Sequence, residues 1–419
     1  FTMRMKEMKN KELWNIERLP RILSTRTEYG KDVEEAAHSQ EEEGSLHAAN
    51  TAISGMQEKG QDCETAGKKI YAVTGAFGHL GNTIVRALLK RGERVRALAL
   101  PGDACSSLEN RDSGQLEIFR GDVRDPDTMD AFFRREEESQ VLAIHAAGIV
   151  TIASDVKPIV YDVNVNGTLN VIRSALRQRV ASFLYVSSVH ALPVGKDLRV
   201  IREFSAPEDF QPELVEGGYA KTKAAATRLV LEAAREGLPA RVVHPSGIIG
   251  PWDEGGGNHL MEMIRSYLNR KLPACVRGGY DFVDVRDVAE GCIDALEKGR
   301  PGECYILSNR HYDMKEILRM LGQISGIRRA CPALPLKLAA VGVPFCEWNA
   351  RRKNTKPLYT QYSLRVLRSN DKFSHEKADR ELGYHPRDLY DTLKDTVKWM
   401  ASSGMLKKAD SLSFAASEK

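Results

Sequence analysis

Tyr219-Ala220-Lys221-Thr222-Lys223 sets a phenol and an ammonium four residues apart at the head of a helical stretch. An i, i+4 spacing puts Tyr219 and Lys223 on one face, one turn apart, whereas Lys221 at i+2 faces elsewhere. A phenol with an unperturbed pKa near ~10 is a poor base at neutral pH, and a neighbouring ammonium stabilises its phenolate. The pair is therefore suited to exchanging a proton with a hydroxyl or carbonyl. Well upstream, Val73-Thr74-Gly75-Ala76-Phe77-Gly78-His79-Leu80-Gly81 spaces three glycines between a short β-rich run and a helix start. Gly75 permits a tight turn, Gly78 lets backbone approach a pyrophosphate, and Gly81 lets the helix pack on the strand. Phe77, His79 and Leu80 line the same turn, and the free N–H groups of the helix start suit a phosphate. These residues predict dinucleotide binding together with proton transfer.

Positioning them takes strands and helices in alternation. Lys69–Thr74, Arg94–Leu100, Leu116–Arg120, Val141–His145, Ser182–Val186 and Ala240–His244 read as strands. Between them, Asn82–Arg91, Asp127–Glu138, Val160–Arg179 and Tyr219–Arg235 read as helices. Such βαβ units predict an α/β fold, a Rossmann-type doubly wound parallel sheet. Residues 68–250 form its dinucleotide-binding domain with the reactive residues. Residues 251–400, helix-rich with short strands, form a smaller substrate lobe interleaved with the sheet.

The chain has 419 residues, 42% hydrophobic and 28% charged, which excludes collagen-like, mucin-like and wholly disordered classes. A net charge of +4 without a long basic block gives no case for nucleic acid. The mean conceals a contrast. Residues 1–67 hold 9 Lys/Arg and 13 Asp/Glu, leaving +8 on the rest, a sign compatible with an anionic dinucleotide. That N-terminal extension lacks a sustained apolar period and is expected to be disordered, with a short helix around Lys11–Leu23 at most. Residues 401–419 are expected to form a flexible tail. Seven scattered cysteines, none in C-x-x-C, predict neither a disulfide framework nor a metal site, and point to a reducing, cytoplasmic compartment. No run reaches the ~18 apolar residues of a membrane span. The nearest, Leu334 to Trp348, is interrupted by Pro335, Lys337, Pro344 and Glu347, and reads as a buried or substrate-lining helix.

The G-x-x-G-x-x-G spacing resembles the extended branch of the short-chain dehydrogenase/reductase superfamily, and further elements follow in that branch's order. Gly121-Asp122-Val123 resembles its G-D-[VIL] element, which implies that Asp122 accepts from the adenine amino group while Val123 packs beside the ring. Taken alone, Asp122 reads as the cap of a strand-end turn. His145-Ala146-Ala147-Gly148 ends the fourth strand in small residues that would let backbone lie against a cofactor. Asn164-Val165-Asn166-Gly167-Thr168 resembles the N-V-x-G-T helix element, which assigns Asn164 to support of the active site; the alternative is an ordinary helix-bending polar residue. Alignment with the strand-end S-S pattern gives the substrate-bonding hydroxyl to Ser188, with Ser187 as the alternative, since strand alternation turns only one inward. The likeness also implies that Lys223 bonds the nicotinamide ribose. Val243-His244-Pro245-Ser246-Gly247 resembles the segment beside the nicotinamide, bringing Pro245 and Ser246 to the cofactor, with His244 where an Arg is commoner.

The resemblance covers about Lys68–Met400 and implies an NAD(P)-dependent oxidoreductase of a secondary alcohol or ketone, similar to the dihydroflavonol 4-reductases and 3β-hydroxysteroid dehydrogenases. The end of the strand Arg94–Leu100 carries neither the acid of NAD-preferring members nor the Arg of NADP-using ones. Asp103 either reaches the ribose or finishes a Pro-Gly turn, so NAD and NADP both stay open. A sugar-nucleotide epimerase is the second reading, weakened because Tyr280 stands where such enzymes carry a diphosphate-clamping Arg. Val189-His190, in place of an Asp-Glu pair, argues against a dehydratase. His190 either lines the substrate cleft or caps its loop, and Asp287 is expected to cap the helix after it. A dinucleotide-binding regulatory module without turnover is a third reading. A homodimer through a helix pair is common in the branch, although no face for it is legible.

Overall fold

Short apolar runs buried on both faces make the central strands, the signature of a parallel sheet covered on each side by helices. A computed structural model describes residues 68–407 except 104, 106–107, 109–113, 137, 154–155, 194–198, 328–330, 353–358 and 368–369. The strands are β1 (Lys68–Thr74), β2 (Arg94–Ala99), β3 (Leu116–Arg120), β4 (Ser139–His145), β5 (Ser182–Val186), β6 (Ala240–Pro245), β7 (Gly247–Ile249), β8 (Cys275–Val276), β9 (Gly279–Asp284), β10 (Cys304–Leu307), β11 (Arg310–Asp313) and β12 (Ala333–Leu334). The helices are α1 (His79–Lys90), α2 (Pro126–Phe132), α3 (Pro158–Tyr161), α4 (Thr168–Arg177), α5 (Gly218–Arg235), α6 (His259–Leu268), α7 (Val285–Lys298), α8 (Met314–Ser325), α9 (Leu336–Arg352), α10 (Gln361–Val366), α11 (Glu376–Leu382) and α12 (Leu389–Ser402).

Seven strands pair in parallel in the order β10-β6-β5-β4-β1-β2-β3. The order reverses between β1 and β4, so a crevice opens beyond their carboxyl ends, where the glycine turn and Ala146–Gly148 lie. One face carries the apolar residues of α4 and α5, the other those of α1 and α7. Strand β10 returns from the C-terminal half to the sheet edge, and a smaller sheet of order β11-β9-β7 stands with the helices that follow. Among the described residues no helix is long and apolar enough to cross a membrane. Residues 1–67, with the helix expected at Lys11–Leu23, and the tail beyond 407 lie outside the described residues.

Four expectations need correction. The helix expected to reach Glu138 stops at Phe132, because Arg96 of β2 donates to the Phe132 and Arg134 carbonyls at 2.8 and 3.0 Å. The long helix over 160–179 is broken by a π turn at Asp162–Gly167. There the Thr168 hydroxyl bonds the Asn164 carbonyl at 2.7 Å, and such back-bonding bends helices. The cap of α7 is Asp284, whose carboxylate accepts from Arg286 N, whereas Asp287 is bonded by the Arg387 guanidinium and backbone N–H. Finally, α9 within the expected buried segment has only one buried side, with Val343 packed inward and Leu338, Val341, Phe345 and Trp348 exposed.

Candidate active site

The glycine turn is shaped by close approach. Gly75 has φ +68° and an added Cβ would stand 2.6 Å from Ala147 N, while one on Gly81 would stand 2.0 Å from Gly75 O. Gly78, exposed at the N-cap of α1, would meet only Gly75 O at 3.4 Å, and no side chain caps this helix. Its first N–H groups are therefore left uncapped by any described side chain, the arrangement a pyrophosphate needs. Ala146 N and Ala147 N bond the carbonyl and hydroxyl of Thr74 at 3.2 and 3.3 Å, which holds the second wall of the crevice against β1. Phe77 and Leu80 pack on the core beside α1. The His79 ring is engaged elsewhere, with Nε2 2.9 Å from Pro251 O and Nδ1 3.2 Å from Asn258 Nδ2, so its backbone N–H is what it offers a phosphate.

At the adenosine end, Leu100 N donates to Asp103 Oδ2 at 3.1 Å, so Asp103 finishes the Pro-Gly turn. Asp122 likewise accepts from Arg124 N at 2.9 Å and from its guanidinium, which keeps the carboxyl below its ordinary pKa and ionised as an acceptor. Val123 is buried under Gly167.

Tyr219 and Lys223 lie in the first turns of α5, buried, and Ser188 follows β5. The two serines divide as alternation requires. Ser187 Oγ lies 2.7 Å from Thr227 Oγ1 against α5, while the Ser188 hydroxyl bonds the Tyr219 phenol and accepts from His190 N at 3.2 Å. His244 Nδ1 sits 3.0 Å from Ser188 O, so the ring that replaces an Arg steadies this backbone. Lys223 does not act on the phenol as the spacing suggested. Its Nζ donates to Val186 O at 2.7 Å and lies 4.9 Å above the Tyr185 ring, both neutral partners. Burial consequently lowers Lys223 to about 7 and pushes Tyr219 up to about 12, with the Ser188 bond opposing the latter.

Asn164 projects from the π turn and clamps the chain after β4. Its Oδ1 accepts from Ile149 N at 2.7 Å, and its Nδ2 donates to Ile149 O at 3.1 Å and Thr222 Oγ1 at 3.0 Å. A Cβ on Gly148 would stand 3.2 Å from Asn164 Oδ1 and 3.4 Å from Lys223 Nζ, so the missing side chain leaves room beside the ammonium. The open helix start follows β1 and this gap follows its neighbour β4, and both fit a dinucleotide. Pro245 ends β6, and the Ser246 hydroxyl is donated to buried Asp281 at 2.5 Å rather than left free.

The other side of Tyr219 is a wall of rings. His190 meets Tyr219 edge-on at 6.3 Å, stacks on Tyr280 at 5.7 Å and tilts against Tyr362 at 6.3 Å. Phe373 closes on Tyr280 at 6.2 Å. Burial lowers His190 to about 4, so the wall is neutral at pH 7. Tyr362 was not anticipated. It comes from α10, far along the chain from Tyr219, and no local pattern marks it. Its hydroxyl is buried without a hydrogen-bond partner among the described residues. His145 was read only as a strand end, yet it bridges Thr74 Oγ1 at 2.7 Å and Thr168 Oγ1 at 2.9 Å, tying β1, β4 and the start of α4 together.

Residues 71–308 match the NAD dependent epimerase/dehydratase family. The chain is 31% identical to sterol demethylase protein B of Methylococcus capsulatus, over 80% of this chain and 99% of that one. It is 29% identical to a putative dihydroflavonol 4-reductase of Synechocystis, over 80% and 96%. A UDP-glucose 4-epimerase from Thermotoga maritima superposes with a TM-score of 0.62 at 20% identity, over 80% and 99% of the two chains, a likeness of fold.

Proposed function

The chain belongs to the NAD dependent epimerase/dehydratase family, an extended short-chain dehydrogenase/reductase, and from that premise we propose that it interconverts a secondary alcohol and a ketone on an apolar, ring-containing substrate. One observation carries the substrate class: the neutral wall of His190, Tyr280 and Tyr362 beside Tyr219. A sugar nucleotide brings a diphosphate, whose charges need cationic partners when desolvated, whereas rings suit an apolar body held by few polar contacts. The relatives named for sterol demethylation and dihydroflavonol reduction agree in class.

Gly75, Gly78 and Gly81, the α1 N–H groups, Asp122 and the Ala146–Gly148 wall would hold the dinucleotide, with Phe77, Leu80, Val123, Pro245 and Ser246 shaping the crevice. Bound there, the nicotinamide supplies or accepts the hydride. Tyr219 then gives a proton to the carbonyl oxygen, or takes one from the alcohol, while Ser188 bonds the same oxygen. Lys223, held by Val186 O beside Gly148, would bond a ribose hydroxyl of the dinucleotide. Asn164 is a positioning residue that fixes Ile149 and Thr222. With Tyr219 pushed up to about 12, the phenol is protonated at neutral pH and can serve as the proton donor when a ketone is reduced.

The test pairs two assays. A cyclic ketone with NADH or NADPH, and a 3-hydroxysteroid with NAD or NADP, are followed by nicotinamide absorbance; UDP-glucose and UDP-galactose are followed by chromatography. Net cofactor turnover with the apolar substrates is expected. Sugar interconversion without net cofactor change would overturn the reading in favour of an epimerase. Cofactor binding with no turnover in either assay would overturn it in favour of a regulatory module.

A further inference from the structure

We propose that the outward face of α9 is a docking surface for an anionic lipid bilayer. Leu338, Val341, Phe345 and Trp348 fall on one side of this helix and are 64, 81, 68 and 54% exposed. Four large apolar side chains in one stripe are uncommon on a soluble surface. The stripe is not the product of a loose helix. Its inner side packs Val343 on Val276 and Leu364, with Leu336, Ala339 and Ala340 alongside. Pro344 removes the N–H that the Ala340 carbonyl would have received, and Gln361 Nε2 of α10 donates to that carbonyl at 3.0 Å instead. The helix is pinned inward and displays its rings outward.

Charge selects the occupant. Lys337 and Arg352 stand exposed at the two ends of the stripe, and the Arg352 guanidinium lies 5.7 Å from the Trp348 ring. The sole acid of α9, Glu347, lies half-buried on the inner side. In sequence the helix is followed by Lys353 and Lys356. A second copy seated on this face about a two-fold axis would oppose Lys337 to Arg352, like charges across an apolar seam. A headgroup layer instead accepts both features: Phe345 and Trp348 enter the acyl boundary while the cations meet lipid phosphates. The helix would lie in the membrane plane. Because α9 packs on Leu364 and the same turn of α10 carries Tyr362, the surface stands one helix away from the aromatic wall.

The full-length protein is sedimented with phosphatidylcholine vesicles and with vesicles containing phosphatidylserine, neither of which requires cofactor or substrate. The result is therefore independent of the reaction proposed above. Binding to the phosphatidylserine vesicles, weakening with salt, is expected. The double change Phe345→Ser with Trp348→Ser should lower it about tenfold or more, with the circular dichroism and Tm unchanged because both side chains are exposed. Lys337→Gln with Arg352→Gln should lower it about fivefold or more while sparing the fold. No binding to either vesicle, equal binding to both, or unchanged binding by the ring variant would overturn the proposal. So would a ring variant that changes molar mass in solution instead, which would give the face to a second copy.

Discussion

Tyr219 sits among groups that oppose its ionisation more than they aid it. Burial pushes the phenol up, one hydroxyl from Ser188 works against this, and Lys223 spends its donor on Val186 O. A proton donor of this kind is indispensable to the proposed chemistry and dispensable to the cradle. Tyr219→Phe should thus lower turnover by about 10²- to 10⁴-fold while the dissociation constant for NADH, read by fluorescence titration, stays within about twofold. Retained turnover would remove Tyr219 from the mechanism. Tyr362 presents the opposite case, a buried phenol whose hydroxyl finds no partner among the described residues. Its Cε2 already lies where a Cβ on Gly217 would fall, so the ring itself is tightly seated. Tyr362→Phe keeps the ring and removes the uncompensated hydroxyl, so the substrate-free protein should gain about 1 kcal/mol in denaturant melts. If that hydroxyl meets a polar group on the substrate, the same change should raise KM by about three- to tenfold with little effect on kcat. A less stable Tyr362→Phe protein would mean that the hydroxyl already has a partner.

At the scale of the element, two glycines of one turn separate folding from binding. A Cβ on Gly81 would enter the Gly75 carbonyl, whereas a Cβ on Gly78 meets open space at an ordinary negative φ. Gly81→Ala should lower Tm by several degrees or prevent folding. Gly78→Ala should leave Tm nearly unchanged and weaken dinucleotide affinity about tenfold or more by calorimetry, since the methyl stands where phosphate must approach. An unchanged affinity would move the cradle away from Gly78. That turn was legible because its signal is local: glycines, a strand before them and a helix after. The strands and the Tyr219–Lys223 spacing were legible for the same reason. The end of α2 was not, because it depends on Arg96 reaching from another strand. Nor was the outward face of α9, since a stripe of apolar residues has the same spacing whether it meets protein or water. The aromatic wall draws its rings from the loop after β5, from β9 and from α10, which no window of sequence holds together.

The molecule as a whole hides basic groups in its catalytic half. His145 at the end of β4, His190 after β5 and His244 in β6 are all buried in surroundings that lower their pKa, to about 3, 4 and 4 from 6.5. In each the neutral ring is the folded form, so unfolding takes up protons at any pH between those values and 6.5. Stability must therefore fall as pH drops through that window, and be free of the penalty above it. Asp281 acts in the opposite sense, since burial raises it to about 6 from 3.8 and makes its protonated form favourable on folding. One carboxyl shifted by this amount does not offset three imidazoles, so the cofactor-free protein should lose Tm steadily from pH 6.5 to pH 4 in differential scanning fluorimetry. His244 offers the check on cause. Its Nδ1 must carry the proton that bonds Ser188 O, which leaves Nε2 buried, with no partner among the described residues for a second proton. His244→Asn can keep a donor near Ser188 O while removing the titration, and should make the Tm–pH slope shallower between pH 4 and 6.5. A slope identical to that of the parent protein would show that protonation of this ring is not what unfolds the molecule in acid.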